Sequence, residues 1–116
     1  MSTSKTSKVS VIKFDVEKFD GKLINFSMWQ CQMRDVLIQQ DLHKALLGVE
    51  AKPEMMTNVE WQEFDLKAYS NIRLHIAQNV IYYVIREKSA ARIWKILEDK
   101  YMTKRIENRL YLKDEG

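Results

Sequence analysis

The sequence predicts an all-α fold, a helical bundle with an extended N-terminal segment. Three observations point there. Only three Gly and one Pro interrupt 116 residues, too few for the frequent turns of an all-β domain. Apolar side chains recur at helical spacing through several long stretches. Hydrophobic residues make up 46% of the chain, with three Trp, five Tyr and four Phe, enough to fill one core.

The elements follow in order. Residues 1–10, rich in Ser, Thr and Lys, are expected to be a disordered tail. A single domain is expected over 11–113, with 114–116 as a short tail. In VIKFDVEKF (11–19) the alternation of Ile12, Phe14 and Val16 suits an extended segment lying along the domain. Asp20, Gly21 and Asn25 read as a turn. Ser27 stands three residues before Gln30, the spacing of a capping box, with Phe26 placed to staple onto the helix that follows. Trp29, Met33, Val36 and Leu37 then share one helical face. The expectation is a helix from about 27 to 40, with more helix up to 47 and Gly48 as its C-cap.

KPEMMTNVE holds the single proline and reads as a loop. Thr57 and Glu60 repeat the capping-box spacing. Trp61, Phe64, Ala68, Ile72 and Ile76 form a stripe, so a long helix is expected over about 58–77. VIYYVI (80–85) has the composition of a strand, and periodicity alone does not separate a strand from a short buried helix. The helical character of the rest favours a short helix. Ser89 is placed to cap a helix over 89–102 with Ala90, Ile93, Trp94, Leu97 and Tyr101 inward. Thr103 is placed to cap a last segment, 104–113, carrying Ile106, Leu110 and Tyr111.

The chain offers little for catalysis. It has no Gly-rich phosphate loop, no HExxH and no paired CxxC, so no metal, cofactor or small-molecule substrate is expected. His43 and His75 are far apart in sequence. The single cysteine, Cys31, lies among core positions of the first helix and reads as a small core or boundary residue rather than a nucleophile. Asn25-Phe26-Ser27 matches a glycosylation acceptor but follows no secretory signal, and a cytoplasmic setting is expected. No apolar run is long enough to span a membrane. Trp29, Trp61 and Trp94 sit on apolar stripes and are read as core anchors with Phe26, Met33, Ile72 and Tyr101, rather than as platforms for bases. The net charge of +3 is mild. Lys5, Lys8 and Lys13 form a thin cluster near the start. Lys100, Lys104, Arg105, Arg109 and Lys113 form another near the end, read either as a solvated face or as a contact for RNA phosphates.

The string F-D-G-x(3)-N-F-S-x-W-x(3)-M-R-D-x-L, residues 19–37, resembles the N-terminal Gag region of copia-type LTR retrotransposon polyproteins, especially the plant TNT-like group. LIQQDLHKAL (37–46), EWQEFDLKAYSNIRLHIAQNV (60–80) and ARIWKILEDKYMTKRIENRLYLK (91–113) resemble later motifs of that family, in the same order. The likeness covers about residues 14–113. It implies a helical bundle like the N-terminal part of a retroviral-type capsid. It further implies self-assembly with its own or related Gag chains into virus-like particles around the element's RNA. The family's zinc knuckle, protease, integrase and reverse transcriptase follow downstream and have no counterpart here. Asp20-Gly21 follows Phe19 and is not an aspartic-protease motif. The family's helix continues past LYLK, whereas this sequence stops at Gly116, so a truncated chain is expected. Two other readings stay open: an RNA-binding module using the basic clusters, and a degenerate fragment that interferes with intact Gag.

Overall fold

The computed structural model describes residues 16–102, and these form an all-α domain. Helix α1 spans Leu23–Gln39 and is followed by two short 3-10 turns, His43–Leu47 and Val49–Ala51. Helix α2 spans Asn58–Leu74, α3 is the single turn Gln78–Ile81, and α4 runs Ala90–Leu97 into a π-helical turn, Glu98–Met102. The expected tail 1–10, Ile12 and Phe14 of the expected extended segment, and the expected last segment 104–113 with Ile106, Leu110 and Tyr111 lie outside the described residues.

The start of α1 departs from the sequence reading. The helix begins at Leu23, and Ser27 lies inside it rather than at its N-cap. The reason is Asp20. Its Oδ1 accepts the Lys22 N–H at 2.9 Å and its Oδ2 accepts the Asn25 side-chain amide at 2.8 Å. The chain is thereby turned into helix before Ser27 is reached. Phe26 consequently sits on the inner face of the helix, not outside it as a staple.

The end of α1 is a Schellman motif. The Asp41 N–H donates to Ile38 O at 3.0 Å and the Leu42 N–H to Leu37 O at 2.8 Å. Asp41 takes the left-handed conformation this needs, with φ of 60°. Leu37 and Leu42 are both buried, supplying the apolar contact that accompanies the motif. Gly48 caps the helical turn that ends at Leu47, where the sequence indicates, with φ of 91° and ψ of 173°, a region in which side-chain-bearing residues are strained.

Helix α2 starts where the sequence indicates. Thr57 Oγ1 accepts the Glu60 N–H at 3.1 Å, and Glu60 returns a carboxylate oxygen to the Thr57 N–H at 2.8 Å. The helix stops at Leu74, short of 77. Ser89 Oγ accepts the Arg92 N–H at 3.3 Å at the start of α4. A second acceptor reaches that end from α2: the Asp65 carboxylate accepts the Ala90 N–H at 3.0 Å. Burial pushes the Asp65 carboxyl up from its usual 3.8, and the Ala90 N–H offsets part of this.

One core joins these elements. Phe19, Phe26, Trp29, Met33, Leu37, Ile72, Ile76, Val80, Ile93, Trp94, Leu97 and Tyr101 belong to a single buried cluster. Its aromatic centre is Phe19, whose ring meets Tyr101 edge-on at 4.7 Å and Phe26 at 5.3 Å. Backbone pairing fixes Phe19 there. Its N–H donates to His75 O and its own carbonyl accepts the Ala77 N–H, each at 2.9 Å, making a parallel bridge to Ile76. The Trp29 indole N–H donates to the same His75 carbonyl at 2.8 Å. The leading segment, α1 and the exit of α2 are thus tied at one oxygen.

Candidate interaction surface

Helix α1 is apolar on two sides. The inward side carries Phe26, Trp29, Met33, Val36 and Leu37, all buried. The outward side carries Ile24, Met28 and Ile38, which are 75%, 63% and 41% exposed, together with Cys31, also exposed. The reading of Cys31 as a core or boundary residue is therefore corrected. It lies well round the helix from Trp29 and Met33, at about 100° per residue, and so faces solvent.

A second apolar region surrounds the turn after α2. Leu74, Tyr82 and Ile85 are exposed there and, with Ile81, line an open groove of about 600 Å³. Lys18 and Arg73 stand at this groove, so its lining is apolar with a positive edge. A second groove, of about 530 Å³, runs beside Leu42, Met55, Met56 and Phe64.

The expected core anchors fall into two groups. Phe26, Trp29, Met33, Ile72, Trp94 and Tyr101 belong to the central cluster. Trp61 is buried but stands outside that cluster, with its ring 5.1 Å from Phe64. Sequence reasoning did not single out Phe19, the hub of the aromatic contacts. The alternation Ile12, Phe14, Val16 leads to Lys18 and not to Phe19, so no local pattern marked it.

Of the basic residues considered for RNA, Lys100 is described, and Lys104, Arg105, Arg109 and Lys113 lie outside the described residues. Lys100 Nζ sits 3.9 Å from the Tyr83 ring centroid and 5.7 Å from that of Tyr101, a cation–π arrangement. Burial raises the Tyr101 phenol above its usual 10.0, and the nearby Tyr83 adds to the shift. On α4, Lys95 pairs with Asp99 at 3.6 Å and Arg92 with Glu87 at 3.4 Å, so part of that positive charge is already matched. Among the described residues no three His, Cys, Asp or Glu side chains gather as a metal site. No described helix is long and apolar enough to cross a membrane.

What the described surface offers is exposed apolar side chains and open grooves. Comparison with known proteins gives this arrangement a family. The model for the gag-polypeptide of LTR copia-type elements matches residues 33–115. The chain belongs to the copia-type gag-polypeptide family. It is also 46% identical over 105 residues to the retrovirus-related Pol polyprotein from transposon TNT 1-94 of Nicotiana tabacum. That alignment covers 90% of this chain and 8% of the polyprotein, so the chain spans a small part of its relative's length. The part matched is the N-terminal Gag portion, a structural and non-catalytic region. No solved structure matches. The copia-type Gag match takes in Met33, Ile72, Trp94 and Tyr101 of the core, while Phe26 and Trp29 lie upstream of it.

Proposed function

We propose that this Gag domain is a non-catalytic self-assembly module. It makes protein–protein contacts with its own or related Gag chains during formation of virus-like particles around the element's RNA, in the cytoplasm. The observation that carries the reading is apolar surface exposed among the described residues beside a contiguous buried core. Ile24 and Met28 on α1, and Leu74, Tyr82 and Ile85 around α3, are more than half exposed, whereas the core residues form a separate buried cluster. Apolar surface of this kind gains free energy only when a partner removes it from water. Family membership supplies the kind of partner.

The test is solution mass by size-exclusion chromatography with light scattering, across concentrations and with added RNA. Growth beyond a monomer as concentration rises is the expected result. A monomer at every concentration, with or without RNA, would refute assembly through these residues. RNA contact through Lys104, Arg105, Arg109 and Lys113 is part of the same proposal. Neutralising these residues is expected to weaken RNA binding and flatten its salt dependence.

A further inference from the structure

The groove at the exit of α2 is lined from three stretches of chain. The end of α2 supplies Ser70, Arg73 and Leu74, the turn after it supplies Ile81, Tyr82 and Ile85, and the leading segment supplies Lys18. Leu74, Tyr82 and Ile85 are 67%, 70% and 56% exposed, so the apolar part of this lining meets water.

The path of the chain runs toward this groove. Phe19 and Ile76 form a parallel bridge, so the residues before Phe19 head in the direction of Leu74 and the last turns of α2. Lys18, one residue upstream of the bridge, already lines the groove. The described residues begin two positions further upstream, at Val16, and residues 1–15 precede them. The nearest apolar side chains of that stretch are Phe14 and Ile12, four and six residues before Lys18. On extended backbone Phe14 reaches no more than about 14 Å from Lys18. The alternation Ile12, Phe14, Val16 leads to Lys18, so on such backbone all four share one side. That side faces the domain, because Val16 packs against the core cluster.

We infer that this groove seats the chain's own segment 12–15, with Ile12 and Phe14 set against Leu74, Tyr82 and Ile85. Tethering favours this occupant over any other. A segment joined to the groove by so few residues has an effective concentration there in the ~mM range, which a separate partner in dilute solution does not reach. Charge agrees. Lys18 and Arg73 make the edge of the groove positive, and over residues 12–17 Asp15 and Glu17 outnumber Lys13. The inference goes beyond the self-assembly reading, which acts through Ile24 and Met28 of α1 while the segment is seated.

Disulfide trapping in the full chain tests this. In a Cys31→Ser background, Phe14→Cys is combined with Ser70→Cys or with Ile85→Cys, both exposed lining positions. Oxidation with copper phenanthroline is expected to link at least one pair within a single chain, at a yield that does not depend on protein concentration. Phe14→Cys with Met55→Cys should stay unlinked, since Met55 precedes the opposite end of α2. Thiol labelling supplies a second readout. Seating is expected to slow labelling of Ile85→Cys about tenfold, and adding Phe14→Asp should restore the fast rate with circular dichroism unchanged. Links that form only between chains would overturn seating by the chain's own segment. Absence of a link in either pair, with labelling of Ile85→Cys indifferent to Phe14→Asp, would overturn the inference altogether. Neither result touches self-assembly, which is read separately from the solution mass of the unmodified chain.

Discussion

Trp29 and Trp61 are almost equally hidden from water, at 4% and 6% exposure, yet their surroundings differ. The Trp29 ring lies 5.4 Å from Phe19, 5.9 Å from Phe26 and 6.0 Å from Trp94, and its N–H reaches the carbonyl of His75. Trp61 lies outside the contiguous core and meets Phe64, one turn further along its own helix. One tryptophan joins segments far apart in sequence. The ring contact of the other stays within α2. Exposure alone does not separate these roles; the sequence distance of the neighbours does.

The sharpest way to break the comparison is truncation. Trp29→Ala is expected to cost about 3–5 kcal/mol of stability, since it empties a central site and removes a donor from the His75 carbonyl. Trp61→Ala is expected to cost less, about 1–3 kcal/mol, because its ring stands outside the contiguous core and has no hydrogen-bonded carbonyl to strand among the described residues. Urea unfolding followed by circular dichroism measures both, and equal costs would erase the distinction.

Asp65 extends the comparison to polar ties that cross between elements. Asp65→Ala strands the buried Ala90 N–H and is expected to cost about 1–3 kcal/mol. Asp65→Asn keeps an acceptor and should cost less. The pH dependence separates this group from Asp20. The folded pKa of Asp65 is raised, so its contribution is most favourable below 3.8 and is lost as pH rises from there through the folded value. The folded pKa of Asp20 is lowered, chiefly by the Lys22 N–H. Its contribution is present above 3.8 and is lost as pH falls through the folded value. Stability measured against pH in Asp65→Asn should lose the first slope and keep the second.

The same contrast between local and distant partners explains what the sequence could reveal. The capping box at Thr57 and Glu60 involves one turn of chain and was legible. Ser27 and Gln30 show a similar spacing, but Asp20 had already begun α1 upstream, so the pattern did not mark a start. The inner face of α4, from Ala90 to Tyr101, followed from helical period because a single face of that helix is apolar. On α1 apolar residues occupy both sides, and period alone did not show that Cys31 faces outward. Phe19 and the His75 carbonyl were hidden for another reason. Their roles come from a backbone bridge between segments more than fifty residues apart, which leaves no local mark. The family likeness was legible because its motifs occur in order along the chain, and the copia-type match bears it out.

The central structural claim is that the leading segment, α1 and the exit of α2 are locked together at His75. Native-state hydrogen exchange of the Phe19 and Ala77 amides tests it most directly, since both lie outside the helices and donate across the bridge. The account predicts that they exchange as slowly as the buried amides of α1 and α4, opening only with the whole domain. Exchange at the rate of an exposed loop would contradict it.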